Sequence, residues 1–141
     1  MVEICFICTG NTCRSIMAEK IAQKKAKEQN LDLKITSAGL FADKNVVEDK
    51  TKQTLQILGY DDSGINSIQL EKIDPHVLYV AVTDAHKKYI QSAKVISFGD
   101  LAGEVEDPAG LPLEEYISTA RKIEKNIDVL FEKMKKIRGE K

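Results

Sequence analysis

Tryptophan is absent, histidine occurs only twice, and all three cysteines fall within the first thirteen residues. His76 and His86 are isolated and far from the cysteines, which leaves zinc without a ligand set. An odd and clustered cysteine count excludes the disulfide framework of a small secreted domain. The formal net charge is only -1, so no basic surface is offered to nucleic acid. No apolar run approaches the ~20 residues that a membrane span needs, and the N-terminus lacks a signal-peptide pattern. Low-complexity tracts and internal repeats are also missing. These absences predict one soluble, cytoplasmic domain over residues 1–141, monomeric because no broad apolar surface is left once the core is assigned.

What is present alternates between two periods. Val2–Ile7, Leu31–Ser37, His76–Val82 and Lys94–Phe98 read as short strands, the third almost wholly apolar like a central parallel strand. Arg14–Glu28, Val46–Leu58 and Asp84–Gln91 read as helices, with Gly59 closing the second. Pro112 opens a long last helix whose apolar stripe runs Leu113, Tyr116, Ile117, Ala120, Ile123, Ile127, Leu130, Met134, Ile137. The alternation predicts an α/β sandwich on a parallel sheet, with the ligand at the carboxyl ends of the strands.

The loop after the first strand lies at such an end and reads Cys8-Thr9-Gly10-Asn11-Thr12-Cys13-Arg14-Ser15. Small residues between a strand and a helix N-terminus gather backbone N–H groups into one concavity, which favours an anion. The same field stabilises a thiolate at Cys8. Arg14 can grip two phosphate oxygens in bidentate fashion, and Ser15 can donate its hydroxyl to the sulfur. Gly10 presents no side chain to block a ligand, and Asn11 tolerates left-handed backbone. The pattern suits phosphoryl transfer through phosphocysteine. Asp107, on a loop stiffened by Pro108, is the candidate acid for the leaving group; Asp84 is the rival, but it reads as a helix cap. Cys5, mid-strand, reads as core. Three strand steps of ~3.3 Å would hold it about 10 Å from Cys8 on the opposite face, unsuited to zinc or a disulfide. Both histidines read as a strand end or a helix surface.

Cys-x5-Arg-Ser near the N-terminus resembles the hallmark of the low-molecular-weight protein-tyrosine-phosphatase superfamily. The resemblance continues through Met17-Ala18-Glu19, Ser37-Ala38-Gly39, Ala81–Lys87, Asp107-Pro108 and the final helix. It implies a flavodoxin-like three-layer sandwich, a four-stranded parallel sheet with helices on both faces, and neither metal nor cofactor. Cys8 would be the nucleophile, Arg14 the phosphate clamp and Asp107 the general acid, with Asn11 and Ser37 bracing the loop. Cys13 would form a reversible disulfide with Cys8. The implied partners are phosphorylated proteins, with inorganic phosphate or another oxyanion in the cradle.

Within the superfamily, Thr12 and "SAGLFA" (Ser37 to Ala42) resemble the bacterial branch that includes protein-arginine phosphatases, whose threonine contacts the guanidinium side of phosphoarginine. Ala109 stands where an aromatic usually follows Asp-Pro, and Ile16 where proline usually follows Arg-Ser; Phe41 offers a different wall. Phosphotyrosine and phosphoarginine both remain open. Two rivals share the loop. A thioredoxin-coupled arsenate reductase needs cysteines downstream of Cys13, and there are none. A non-catalytic phosphate- or FMN-binding module would want aromatic walls, and would have no use for a thiolate.

Overall fold

A computed structural model of the chain describes residues 1–42, 45–90, 92 and 94–137. Its elements run β1 (Val2–Cys8), α1 (Arg14–Glu28), β2 (Leu33–Gly39), α2 (Asp49–Ile57), β3 (Val77–Ala81), α3 (Asp84–Lys88), β4 (Val95–Ser97) and α4 (Leu113–Ile137), with a 3₁₀ turn at Phe98–Asp100. The four strands pair in parallel in the order β2-β1-β3-β4. β1 is thus flanked on both sides, and its residues from Ile4 to Cys8 are all buried.

Pleating divides β1 between two core layers. Ile4, Phe6 and Cys8 enter the larger cluster with residues of α1, α2 and α4, among them Met17, Ile21, Leu55, Ile123 and Ile127. Cys5 and Ile7 enter the smaller one with Ala38, Val77, Tyr79 and Ile90. Cys5 is therefore core, as expected; burial pushes its thiol up to about 11. It lies on the face of β1 opposite to Cys8.

Some boundaries differ from the sequence expectation. α2 starts at Asp49 rather than Val46, because Glu48 is extended (φ -68°, ψ 140°) and acts as the N-cap. Phe98 leaves β4 for the 3₁₀ turn, where Ser97 and Asp100 cap each other. The expected end of α3 at Gln91 lies outside the described residues. In α4 the predicted stripe holds from Tyr116 to Leu130, but Ile137 is 86% exposed. Asn126 is also buried on this helix, donating to the carbonyls of Gly103 and Lys122 and accepting from the Ala102 amide. Among the described residues, no helix is long and apolar enough to cross a membrane.

Candidate active site

β1 ends at Cys8 and α1 begins at Arg14, so the loop between them sits at the carboxyl edge of the sheet, between β1's two neighbours. Every carbonyl of the loop is held from outside. Cys8 O accepts from Leu40 N–H at 3.0 Å, Thr9 O from Phe41 N–H at 2.8 Å, and Cys13 O from Met17 N–H at 2.9 Å. Gly10 O accepts from Asn45 Nδ2 at 3.2 Å and Asn11 O from Ser67 Oγ at 2.7 Å. Thr12 O accepts from Glu48 N–H at 3.1 Å and Thr51 Oγ1 at 2.9 Å. In a trans peptide the N–H points away from the C=O. Carbonyls turned outward therefore turn the amides of residues 9–14 inward, into one concavity. α1 adds to that field: no side chain caps it, and no acidic residue stands in its first turn.

The Cys8 sulfur lies inside this cradle, accepting from the Asn11 amide at 3.3 Å and 2.9 Å from Ser15 Oγ. The direction of the second bond follows from Asn11. Its Oδ1 accepts from Ile68 N–H at 2.8 Å, so its Nδ2 is what faces Ser15 Oγ (2.6 Å) and Ser37 Oγ (3.0 Å). Ser15, already accepting from Asn11, has its own proton free for sulfur, as the sequence suggested. Ser37 in turn donates its hydroxyl to Glu19 Oε1 at 2.6 Å. Asn11 also takes the left-handed backbone expected of it, φ 50°. Gly39 is required by close approach rather than by a turn: a Cβ there would lie 2.8 Å from the Asn11 nitrogen and from the Thr9 oxygen. Gly10 is covered from the scaffold side, with Asn45 Nδ2 3.1 Å from where a Cβ would stand.

Arg14 is buried. One guanidinium nitrogen donates to Val105 O at 3.0 Å and the other lies 4.0 Å from Asp107 Oδ2. Asp107, with its side chain 52% exposed, accepts from the Ala109 amide at 3.0 Å. The rival Asp84 accepts from Ser97 Oγ, and its amide donates to Glu104 at 2.7 Å. The cap of α3 is Thr83 instead.

Three groups at the loop escaped sequence reasoning. His86 is not a helix-surface residue: it is buried, with Nε2 2.7 Å from Thr9 Oγ1 and Nδ1 2.6 Å from Thr83 Oγ1. Burial, then the nearby charge of Arg14, lowers its pKa from the ordinary value. Glu48 receives the Thr12 hydroxyl at 3.1 Å and the Tyr116 hydroxyl on its other oxygen. Ser67 and Ile68 come from a stretch with no recognisable period. Cys13 is buried and unpaired, its thiol pushed far up by desolvation. Among the described residues, no group of three His, Cys, Asp or Glu side chains could hold a metal.

A family model described as low molecular weight phosphotyrosine protein phosphatase matches residues 3–139, and the chain belongs to that family. A protein-arginine-phosphatase of Bacillus subtilis (strain 168) is 30% identical over 97% of this chain and 99% of its own. A crystallised low molecular weight protein tyrosine phosphatase from T. tengcongensis superposes with a TM-score of 0.83 at 34% identity, covering 94% of this chain and 99% of that one. An arginine phosphatase mutant with a phosphorylated active-site serine superposes with a TM-score of 0.83 at 28% identity over 96% of this chain and 97% of its own. The arsenate-reductase and FMN-module readings find no support in these relatives.

Proposed function

We propose that the chain is a cytoplasmic phosphoprotein phosphatase whose preferred substrate is phosphoarginine. Cys8 attacks phosphorus, the bond to the leaving nitrogen breaks, and Asp107 supplies the proton that the nitrogen takes. The inward amides of residues 9–14 and the guanidinium of Arg14 hold the three phosphoryl oxygens as charge redistributes among them. Asp107 then takes a proton from the water that attacks phosphocysteine, releasing phosphate and restoring the thiolate. A relative trapped with phosphate on its active-site serine supports a covalent intermediate. Cys13 would cap an oxidised Cys8: once peroxide has converted the thiolate to a sulfenic acid, the Cys13 thiol displaces water to form the disulfide. Three unpaired thiols suit a reducing compartment.

The observation that carries the substrate preference is Thr12 itself, a half-buried residue that brings a hydroxyl into the loop whose amides turn inward. A second reading, phosphotyrosine, is favoured by the exposed edge-to-face pair of Phe41 and Tyr89, whose ring centroids are 6.0 Å apart. One assay separates the two: kcat/KM for a phosphoarginine peptide and for an aryl phosphate, in wild type and Thr12→Ile, with Cys8→Ser as the inactive control. The proposal expects wild type to favour phosphoarginine and Thr12→Ile to reverse the order. A wild type that turns over aryl phosphate alone establishes the second reading.

A further inference from the structure

We propose that Glu48 determines substrate selectivity by fixing which way the Thr12 hydroxyl points; the inference rests on the phosphoarginine reading above. A threonine hydroxyl carries one proton and two lone pairs, whereas a carboxylate only accepts. The Thr12 proton is directed to Glu48 Oε2 at 3.1 Å. Thr12 is therefore left able only to accept, and a group meeting it from the substrate side must donate. A guanidinium is made of donors, while the edge of a phenyl ring brings only C–H groups. The carboxylate thus converts an ambivalent hydroxyl into one matched to an arginine-derived leaving group.

Glu48 is itself positioned for this role. Its backbone N–H donates to Thr12 O at 3.1 Å, which locks the two residues face to face. Its second oxygen accepts from Tyr116 O–H, an anchor rooted in the first turns of α4. That phenol stays protonated, held up by burial and by Glu48 beside it, so it continues to donate. Although Glu48 occupies the N-cap of α2, its side chain makes no capping bond there. The side chain is directed instead to the Thr12 hydroxyl of the loop and to the Tyr116 anchor on α4. Glu48 touches no reacting atom and acts through Thr12, which makes it a positioning residue.

The test compares kcat/KM for a phosphoarginine peptide and for p-nitrophenyl phosphate in wild type, Glu48→Gln, Thr12→Val and the double variant. Gln keeps the shape of Glu48, but its amide can donate to Thr12 and turn the hydroxyl proton toward the substrate. The phosphoarginine-to-aryl ratio should fall about tenfold in Glu48→Gln, the worth of one hydrogen bond to a charged donor. In the Thr12→Val background the same change should leave the ratio where Thr12→Val alone puts it. Equal losses on both substrates would assign Glu48 a purely structural role and overturn the inference; so would a ratio shift that survives in Thr12→Val. A wild type inactive on phosphoarginine defeats the substrate reading and this inference together. A wild type active on it, with an unmoved ratio in Glu48→Gln, defeats the inference alone. Tyr116→Phe, which removes the anchor but keeps the carboxylate, should move the ratio in the same direction by a smaller factor.

Discussion

The loop from Cys8 to Arg14 and the loop carrying Asp107 meet at one guanidinium, yet they are held in opposite ways. In the first, every carbonyl from Cys8 to Cys13 has a partner, and Asn11 alone bonds Ser15, Ser37 and Ile68 by its side chain. In the second, Val105 accepts from Arg14 at 3.0 Å and donates its own N–H to Val82 O. Two residues on, however, the carboxylate of Asp107 reaches Arg14 only at 4.0 Å and accepts one local bond, from Ala109. With Asp107 half exposed and the two charges 4.0 Å apart, that ion pair contributes little to stability. The difference fits the two tasks proposed for them. Anion binding needs dipoles fixed before the ligand arrives, since reorienting them during reaction would cost what they contribute. Proton delivery needs a carboxyl that can meet both a leaving group and, later, a water.

The sharpest break of the comparison is Asp107→Asn. Asparagine keeps the side-chain oxygen that accepts from Ala109, so the loop should retain its shape. Turnover should drop by roughly 10²–10⁴-fold, the usual scale of general acid catalysis, while the melting temperature stays put. Steady-state kinetics and thermal unfolding check both halves. If Asp84→Asn shows that kinetic loss and Asp107→Asn does not, the acid has been placed on the wrong loop.

Asn11→Ala should behave the other way round. It strips partners from Ser15, Ser37 and the Ile68 amide and forces alanine into φ 50°. Each buried group left unpaired costs about 1–3 kcal/mol, so a loss of about 3 kcal/mol in denaturant unfolding is expected. Activity should fall with it, because Ser15 then lacks the donor that turns its proton to Cys8. A variant as stable as wild type would mean that the cradle is braced by backbone alone.

The same contrast explains how far the sequence could be read. The strand, the turn and the helix around Cys8 announce themselves locally: an apolar run, Gly10-Asn11, then Met17 and Ile21 at helical spacing. The braces do not, because a hydrogen bond leaves no trace at a distance. Glu48 lies 36 positions from Thr12 and His86 lies 77 from Thr9, inside segments read for their own periodicity. α3, from Asp84 to Lys88, is too short to reveal a buried face, so its histidine looked solvated. Glu48 reads as an ordinary helical glutamate when α2 is started at Val46, whereas it precedes the helix as its N-cap. Ile137 differs in the opposite direction: the apolar spacing continues to it, yet its side chain is exposed.

The smallest effect tests whether His86 belongs with the rigid loop. Its pKa in the fold is lowered, first by burial and then by Arg14, so the folded state takes up a proton less readily than the unfolded chain. Stability from this group is complete above the ordinary histidine value of about 6.5 and declines as pH falls from there through the lowered folded value. Protonation also gives both ring nitrogens a hydrogen, so neither can accept from Thr9 or Thr83 any longer. His86→Asn should flatten the fall in unfolding free energy between about pH 6.5 and 5 while costing a modest, pH-independent amount above pH 7. Urea unfolding at a series of pH values reads both. A slope that is the same in the variant and the wild type would mean that acid sensitivity arises elsewhere, and that the contact from His86 to Thr9 restrains the loop by shape rather than by charge.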